Sequence, residues 1–130
     1  MAKKLTLGKN ERLKSRKQIE LLFSDGKKFS ITPFRVHYLF NELANPTLQF
    51  GVGVSNKNFK KAVDRNKIKR RVREAYRLQK NTLQQKLKDK KSRLSIFIIY
   101  TGKVISEYRE VFTNINKILD KLCHITDSED

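Results

Sequence analysis

Cysteine occurs once, at Cys123, so the chain can form no intrachain disulfide and can assemble no Cys-rich zinc site. A reducing cytoplasm fits that usage. Tryptophan is absent, and with it the usual anchor of a helix lying on a membrane surface. Nowhere do eighteen apolar residues run together, which leaves no spanning helix. The apolar stretch Leu5–Leu7 behind the basic first residues is far too short for the core of a signal peptide. Acidic residues are scarce, 13 Asp and Glu against 30 Lys and Arg, for a formal charge of +17. Such self-repulsion strains a compact fold unless a polyanion binds it, so nucleic acid is the leading partner and no membrane is expected. Motifs for self-contained catalysis are missing as well: no P-loop, no nucleophile elbow, no HExxH and no carboxylate cluster suited to a two-metal nuclease. His37 and His124 stand far apart in the chain, a separation that does not by itself decide against a histidine acid and base pair, and a self-contained ribonuclease built on them ranks last among the readings.

What is present suffices for one domain. A length of 130 residues with 38% hydrophobic content supplies a single modest core, with residues 1–10 expected as a loose basic arm and 126–130 as a frayed acidic tail. Ser15 is placed to cap a short helix from Arg16 to Ser24, in which Ile19, Leu22 and Phe23 share a face and after which Gly26 is a stop signal. Phe34, Val36, Tyr38 and Phe40 alternate with Arg35, His37 and Leu39, the pattern of a half-buried strand. A turn over 41–47, carrying Asn45 and Pro46, then sends a second strand back antiparallel to the first. On that strand Leu48, Phe50, Val52 and Val54 alternate with Gln49, Gly51, Gly53 and Ser55. Glycines on one face either let a ligand come close to the backbone or simply permit a bulge or twist.

Between Lys60 and Gln79 there is no Gly or Pro, and Ile68, Val72, Ala75 and Gln79 recur at helical spacing, which predicts the longest helix. Residues 82–93 are polar and Lys-rich and fit either an extension of that helix or a mobile connection. Leu94–Tyr100 is an apolar run that predicts a strand buried on both sides. Ser106 is expected to cap a last helix with Tyr108, Val111, Phe112, Ile115, Ile118, Leu119 and Leu122 along one face. The class is α+β, a small and mainly antiparallel central sheet packed with helices in the order α-β-β-(β)-α-β-α, the bracketed strand being left open.

The chemistry concentrates between Lys57 and Arg77, where ten of twenty-one residues are basic and only Asp64 and Glu74 are acidic. At about 100° per residue with Arg65 as zero, Arg65, Asn66, Lys69, Arg70, Arg73 and Arg77 span roughly 140° of helix surface, while Ile68, Val72 and Ala75 lie apart from them, between about 280° and 340°. One helix can therefore anchor its apolar edge in the core and hold a band of cations outward. Arg forks reach two phosphate oxygens at once, Lys acts as a point charge, and Asn66 can bond a base edge, a sugar or a phosphate. A merely solvated helix face would interleave signs at i and i+4, and this one does not.

The run Arg65-Asn66-Lys67-Ile68-Lys69-Arg70-Arg71-Val72-Arg73-Glu74-Ala75-Tyr76-Arg77, preceded by Lys61-Ala62-Val63, resembles the RNR signature of the bacterial ribonuclease P protein family. Phe50-Gly51-Val52-Gly53-Val54-Ser55 resembles that family's strand before the signature, and Glu11-Arg12-Leu13-Lys14 through Leu22-Phe23 its N-terminal segment and first helix. The likeness covers most of the chain. It implies a left-handed crossover between the strands before and after the basic helix, against the usual rule of handedness. It also implies a protein subunit that binds a catalytic RNA and the 5′ leader of precursor tRNA, in support of endonucleolytic 5′ maturation of tRNA. The RNA, with Mg²⁺, performs the hydrolysis, so no catalytic residue, no cofactor held by the protein alone and no obligate protein partner are expected.

Carried over by position, Arg65, Asn66, Lys69, Arg70 and Arg73 match signature residues that face RNA, and Lys67 stands where Arg is also common. Lys57, Lys60, Lys61 and Arg77 extend that RNA-binding set. The matching leader cleft comprises Ile19, Phe23 and His37, with Arg35 on the same side of the sheet. Ile19 replaces an expected aromatic and His37 an expected Tyr, and Asn56 stands where Lys is common. Phe23 has ordinary core packing as its alternative. Charge and size alone would also suit a general RNA-binding or ribosome-associated module.

Overall fold

The computed structural model describes residues 12–13, 16–40 and 48–128. The basic arm over 1–10, the Ser15 cap, the turn over 41–47 and residues 129–130 lie outside them. Eight elements follow one another: α1 (Arg16–Asp25), β1 (Lys27–Ile31), β2 (Phe34–Phe40), β3 (Leu48–Val54), α2 (Ala62–Gln79), α3 (Asn81–Asp89), β4 (Leu94–Tyr100) and α4 (Tyr108–Ser128).

Strand alternation sorts the two faces of a four-stranded sheet of order β1-β2-β4-β3. On one face Phe34, Val36, Tyr38, Leu48, Phe50, Val52, Leu94, Ile96, Ile98 and Tyr100 are buried. Ile68, Val72, Ala75 and Tyr76 of α2, Leu83 and Leu87 of α3, and Val111, Ile115, Ile118, Leu119 and Leu122 of α4 complete this core. Each fully buried Leu, Ile or Phe contributes roughly 1.5–3 kcal/mol relative to exposure, so this one cluster is the main store of folding free energy. The ring of Phe50 stacks on Tyr76, centroids 3.8 Å apart and 6° from parallel, and thereby fixes α2 against β3. The other face is partly covered by α1, whose Leu22 is completely buried.

The α+β class stands, as does a mainly antiparallel sheet: β1 with β2 and β2 with β4 are antiparallel, and β3 with β4 is parallel. The first two predicted strands do run in opposite directions but do not touch, because β4 lies between them, joined to β3 by a crossover through α2 and α3. That central position explains why Leu94–Tyr100 is apolar on both sides. The additional strand is β1, ahead of the other two, an edge strand in which only Phe29 and Ile31 are half-buried.

Of residues 82–93, those up to Asp89 belong to a helix of their own, α3, and 90–93 form the turn into β4. Leu83 and Leu87, one turn apart, seat α3 under α4. The expected acidic tail is helical as far as Ser128: Thr126 is fully buried, and Lys86 Nζ lies 2.8 Å from an Asp127 carboxylate oxygen. Lys90 Nζ donates to the carbonyls of Thr126 and Asp127, each at 2.8 Å, placing a cation where a helix end needs one. Ser106 stands two residues ahead of α4, and its hydroxyl is engaged with the Tyr100 hydroxyl at 2.8 Å rather than with the helix.

Candidate nucleic-acid interface

The long helix carries its cations as its periodicity demands. Asn66, Lys67, Arg70 and Arg73 are exposed and Lys69 half-exposed, and none of Arg65, Lys69, Arg70 or Arg73 forms an ion pair among the described residues. Lys57, Lys60 and Lys61, on the loop that leads into α2, are exposed as well. Local folding withdraws two members of the run. Arg77 is ion-paired with Glu74 one turn earlier. Arg65 turns its guanidinium back to the carbonyls of Phe59 and Lys60, each at 2.8 Å, and so braces the loop holding Lys57, Lys60 and Lys61.

Arg71 differs from its neighbours. Its guanidinium donates to the Ser106 carbonyl, tying α2 to the segment before α4. Arg73 sits on the other flank, where burial, and after it the charge of Arg12, holds its guanidinium below the ordinary arginine value.

A second set lies on the opposite face of the sheet. The register sets His37 opposite Phe97 and Phe97 opposite Gly51, with Lys28 beyond His37 on β1. Phe23 of α1 leans over this row, its ring 4.6 Å from His37 and 5.5 Å from Phe97. Phe23 is 45% exposed, part of its ring packed on this row and part open to solvent. Ile19 is half-buried one turn before it, and Arg35 is exposed two residues before His37. Burial first, then the charges of Lys28 and Arg35, lowers the His37 pKa, which favours the neutral imidazole near neutrality. The result is an aromatic notch with cations on its rim.

The glycines of β3 serve neither as a bare approach for a ligand nor as a bulge. A Cβ at Gly51 would stand 2.7 Å from Cδ1 of Phe97, and one at Gly53 3.1 Å from its Cε2, so both positions are empty to accommodate that ring. Sequence reasoning missed Phe97, since an unbroken apolar run gives no parity. His37 and His124 lie on opposite sides of the sheet, and His124 is an exposed residue 3.6 Å from Asp120 on α4. Among the described residues no three His, Cys, Asp or Glu gather in a way that could hold a metal ion, and no helix is long and apolar enough to cross a membrane.

A bare cationic helix on one side of a small sheet and an aromatic notch on the other define an RNA-binding protein of α+β class. The family model described as Ribonuclease P matches residues 7–123, and the chain belongs to that family. It is 36% identical over 117 residues to the ribonuclease P protein component of Porphyromonas gingivalis, covering 89% of this chain and 85% of the relative. To the ribonuclease P protein component of Syntrophus aciditrophicus it is 33% identical over 120 residues, covering 92% of each. Among solved structures, the RNase P protein from Thermotoga maritima superposes with a TM-score of 0.65 at 26% identity, covering 85% of this chain and 96% of that one. The Staphylococcus aureus RNase P protein, at 22% identity and a TM-score of 0.66 over 85% of this chain and 94% of that one, shares the fold.

Proposed function

We propose that this chain is the protein subunit of a cytoplasmic ribonuclease P, an endoribonuclease that matures the 5′ ends of tRNA. In this reading the exposed face of α2, with Asn66, Lys69, Arg70 and Arg73, binds the catalytic RNA. The notch formed by Phe23, His37 and Phe97, with Ile19 beside it and Arg35 on its rim, takes the single-stranded leader of precursor tRNA. Two faces of one sheet thus hold two RNA segments in a fixed mutual position, which is how a protein without catalytic groups assists a reaction carried out by RNA. In this reading Mg²⁺ would be held by the RNA and would supply Lewis-acid chemistry there, while the residues of this chain bind and position the two RNA segments.

The observation that carries the reading is the band of α2 cations without carboxylate partners among the described residues, in a chain of this family. The chemistry suits it: phosphates satisfy Arg forks, and an open aromatic edge stacks on unpaired bases. Reconstituted cleavage of precursor tRNA tests it. The protein should stimulate 5′ cleavage by the catalytic RNA at low Mg²⁺ and cleave nothing by itself. Cleavage by the purified protein alone, or tight binding to RNAs of every kind without stimulation, would replace this reading with a nuclease or a general RNA-binding module.

A further inference from the structure

We propose that Arg12 and Arg73 form a clamp for one backbone phosphate of a polynucleotide at the outer edge of β3. The proposal rests on the RNA-binding reading above and adds to it a residue from outside the basic helix.

Two features of the fold bring the pair together. Ahead of α1, the chain runs beside β3: Arg12 makes a parallel bridge with Phe50, and the Leu13 N–H donates to the Phe50 carbonyl at 2.9 Å. Leu13 is buried, so this short segment is fastened to the sheet. Residues paired across a strand bridge point to the same face. Phe50 points toward α2, where it stacks on Tyr76, and Arg12 therefore lies on the α2 side. Arg73 precedes Tyr76, which stacks on Phe50 of β3, by about one helical turn, and lies on the flank of α2 away from Arg71 and Gln79, which reach toward α4 and the segment before it.

The electrostatics agree with this placement. Among the described residues, Arg12 supplies the one neighbouring charge that depresses the Arg73 pKa, and neither residue has a carboxylate partner. Two guanidinium groups held together by backbone pairing on one side and helix packing on the other repel each other as long as nothing negative sits between them. A phosphate oxygen pair suits the vacancy, since each fork can donate two N–H groups. Lys69 and Asn66 lie on the same flank of α2 and continue the track, which favours a phosphodiester chain over an isolated anion. The β3 edge is also where the cationic helix face and the glycine face of the sheet meet, so a strand held there would pass from one to the other.

The test measures binding of the full chain to fluorescein-labelled catalytic RNA of ribonuclease P across a salt series, for wild type, Arg12→Ala, Arg73→Ala and the double variant. Each single variant should bind about 5- to 50-fold more weakly and lose about 0.7–0.9 from the slope of log K against log salt, the share of one phosphate. The double variant should lose little more than the weaker single variant, because the two arginines share that phosphate. Fully additive losses, or an Arg12→Ala variant with wild-type affinity and slope, would sink the clamp. Arg70→Ala separates the readings: weakened binding there beside an unaffected Arg12→Ala leaves RNA binding intact and removes only the clamp, whereas no loss in any variant removes RNA binding by α2 itself. At low salt without RNA, Arg12→Gln should melt no lower than wild type, because it relieves repulsion. A marked drop in melting temperature would instead make Arg12 a fastening of the N-terminal segment and overturn the proposal.

Discussion

The ring of Phe97 lies directly over the backbone of Gly51, its partner in the parallel β3–β4 register, with only 2.7 Å between Cδ1 and the place where a Cβ would stand. The ring is propped from the other side by Phe23. A small residue on one strand thus sets the height of an aromatic ring on the next, and that ring forms the floor of the notch.

Gly51→Ala should therefore cost about 1–3 kcal/mol of stability, as overpacking in a tight site does, and should push Phe97 toward Phe23. Chemical denaturation would show a lower midpoint at unchanged slope. A variant as stable as the wild type would mean that the ring gives way freely.

Phe23→Ala should lower stability only modestly, by about 1 kcal/mol, since half of the side chain is in solvent and the rest packs on His37 and Phe97. Binding of precursor tRNA with a leader should weaken by roughly 1–3 kcal/mol, the worth of one stacked base, while mature tRNA is unaffected. Equal loss for both substrates would return Phe23 to the core.

The two arginines Arg70 and Arg71 should separate cleanly. Arg70→Ala should weaken RNA binding and lower the salt slope at constant stability. Arg71→Ala removes a charge-assisted bond to the Ser106 carbonyl and should lower stability by about 1–2 kcal/mol after allowing for partial exposure. Its RNA salt slope should stay as in wild type. Reversed results in denaturation and binding would exchange their roles.

His37 gives the pH dependence. Its folded-state pKa is depressed by burial and by Lys28 and Arg35, so the unfolded chain takes up a proton more readily. Its contribution to stability is complete above the unfolded value of about 6.5 and declines as pH falls through that value toward the lower folded one. A phosphate-bearing leader in the notch favours the protonated ring, so RNA binding should strengthen over the same acid range. In His37→Tyr both pH effects should vanish, as stability and affinity measured between about pH 8 and pH 5 would report.

Much of this was legible in the chain. The strands from Phe34 and Leu48 follow from period-two alternation, and α2 from the spacing of Ile68, Val72 and Ala75, because burial on one side leaves a clear trace. β1 left little: Lys27, Lys28 and Ser30 are exposed, and the strand forms through backbone pairing with β2 rather than through an apolar stripe of its own. In α3 two leucines suffice to anchor nine residues, so its polar composition outweighed them in the sequence. The cationic band of α2 was readable, but not the diversion of Arg65, Arg71 and Arg77 to carbonyls and a carboxylate, which depends on neighbours brought in by folding. The place of Arg12 depends on one bridge to β3, and no local pattern announces such a contact.

The insertion of β4 between β2 and β3 bears on synthesis. A ribosome that has delivered residues as far as 93 has made α2 with all its cations, but not the middle strand that joins the two halves of its floor. Until Leu94–Tyr100 is added, the growing chain holds a highly charged helix with no finished sheet to dock on. Closure of the sheet thus waits for one apolar heptapeptide made after the basic helix.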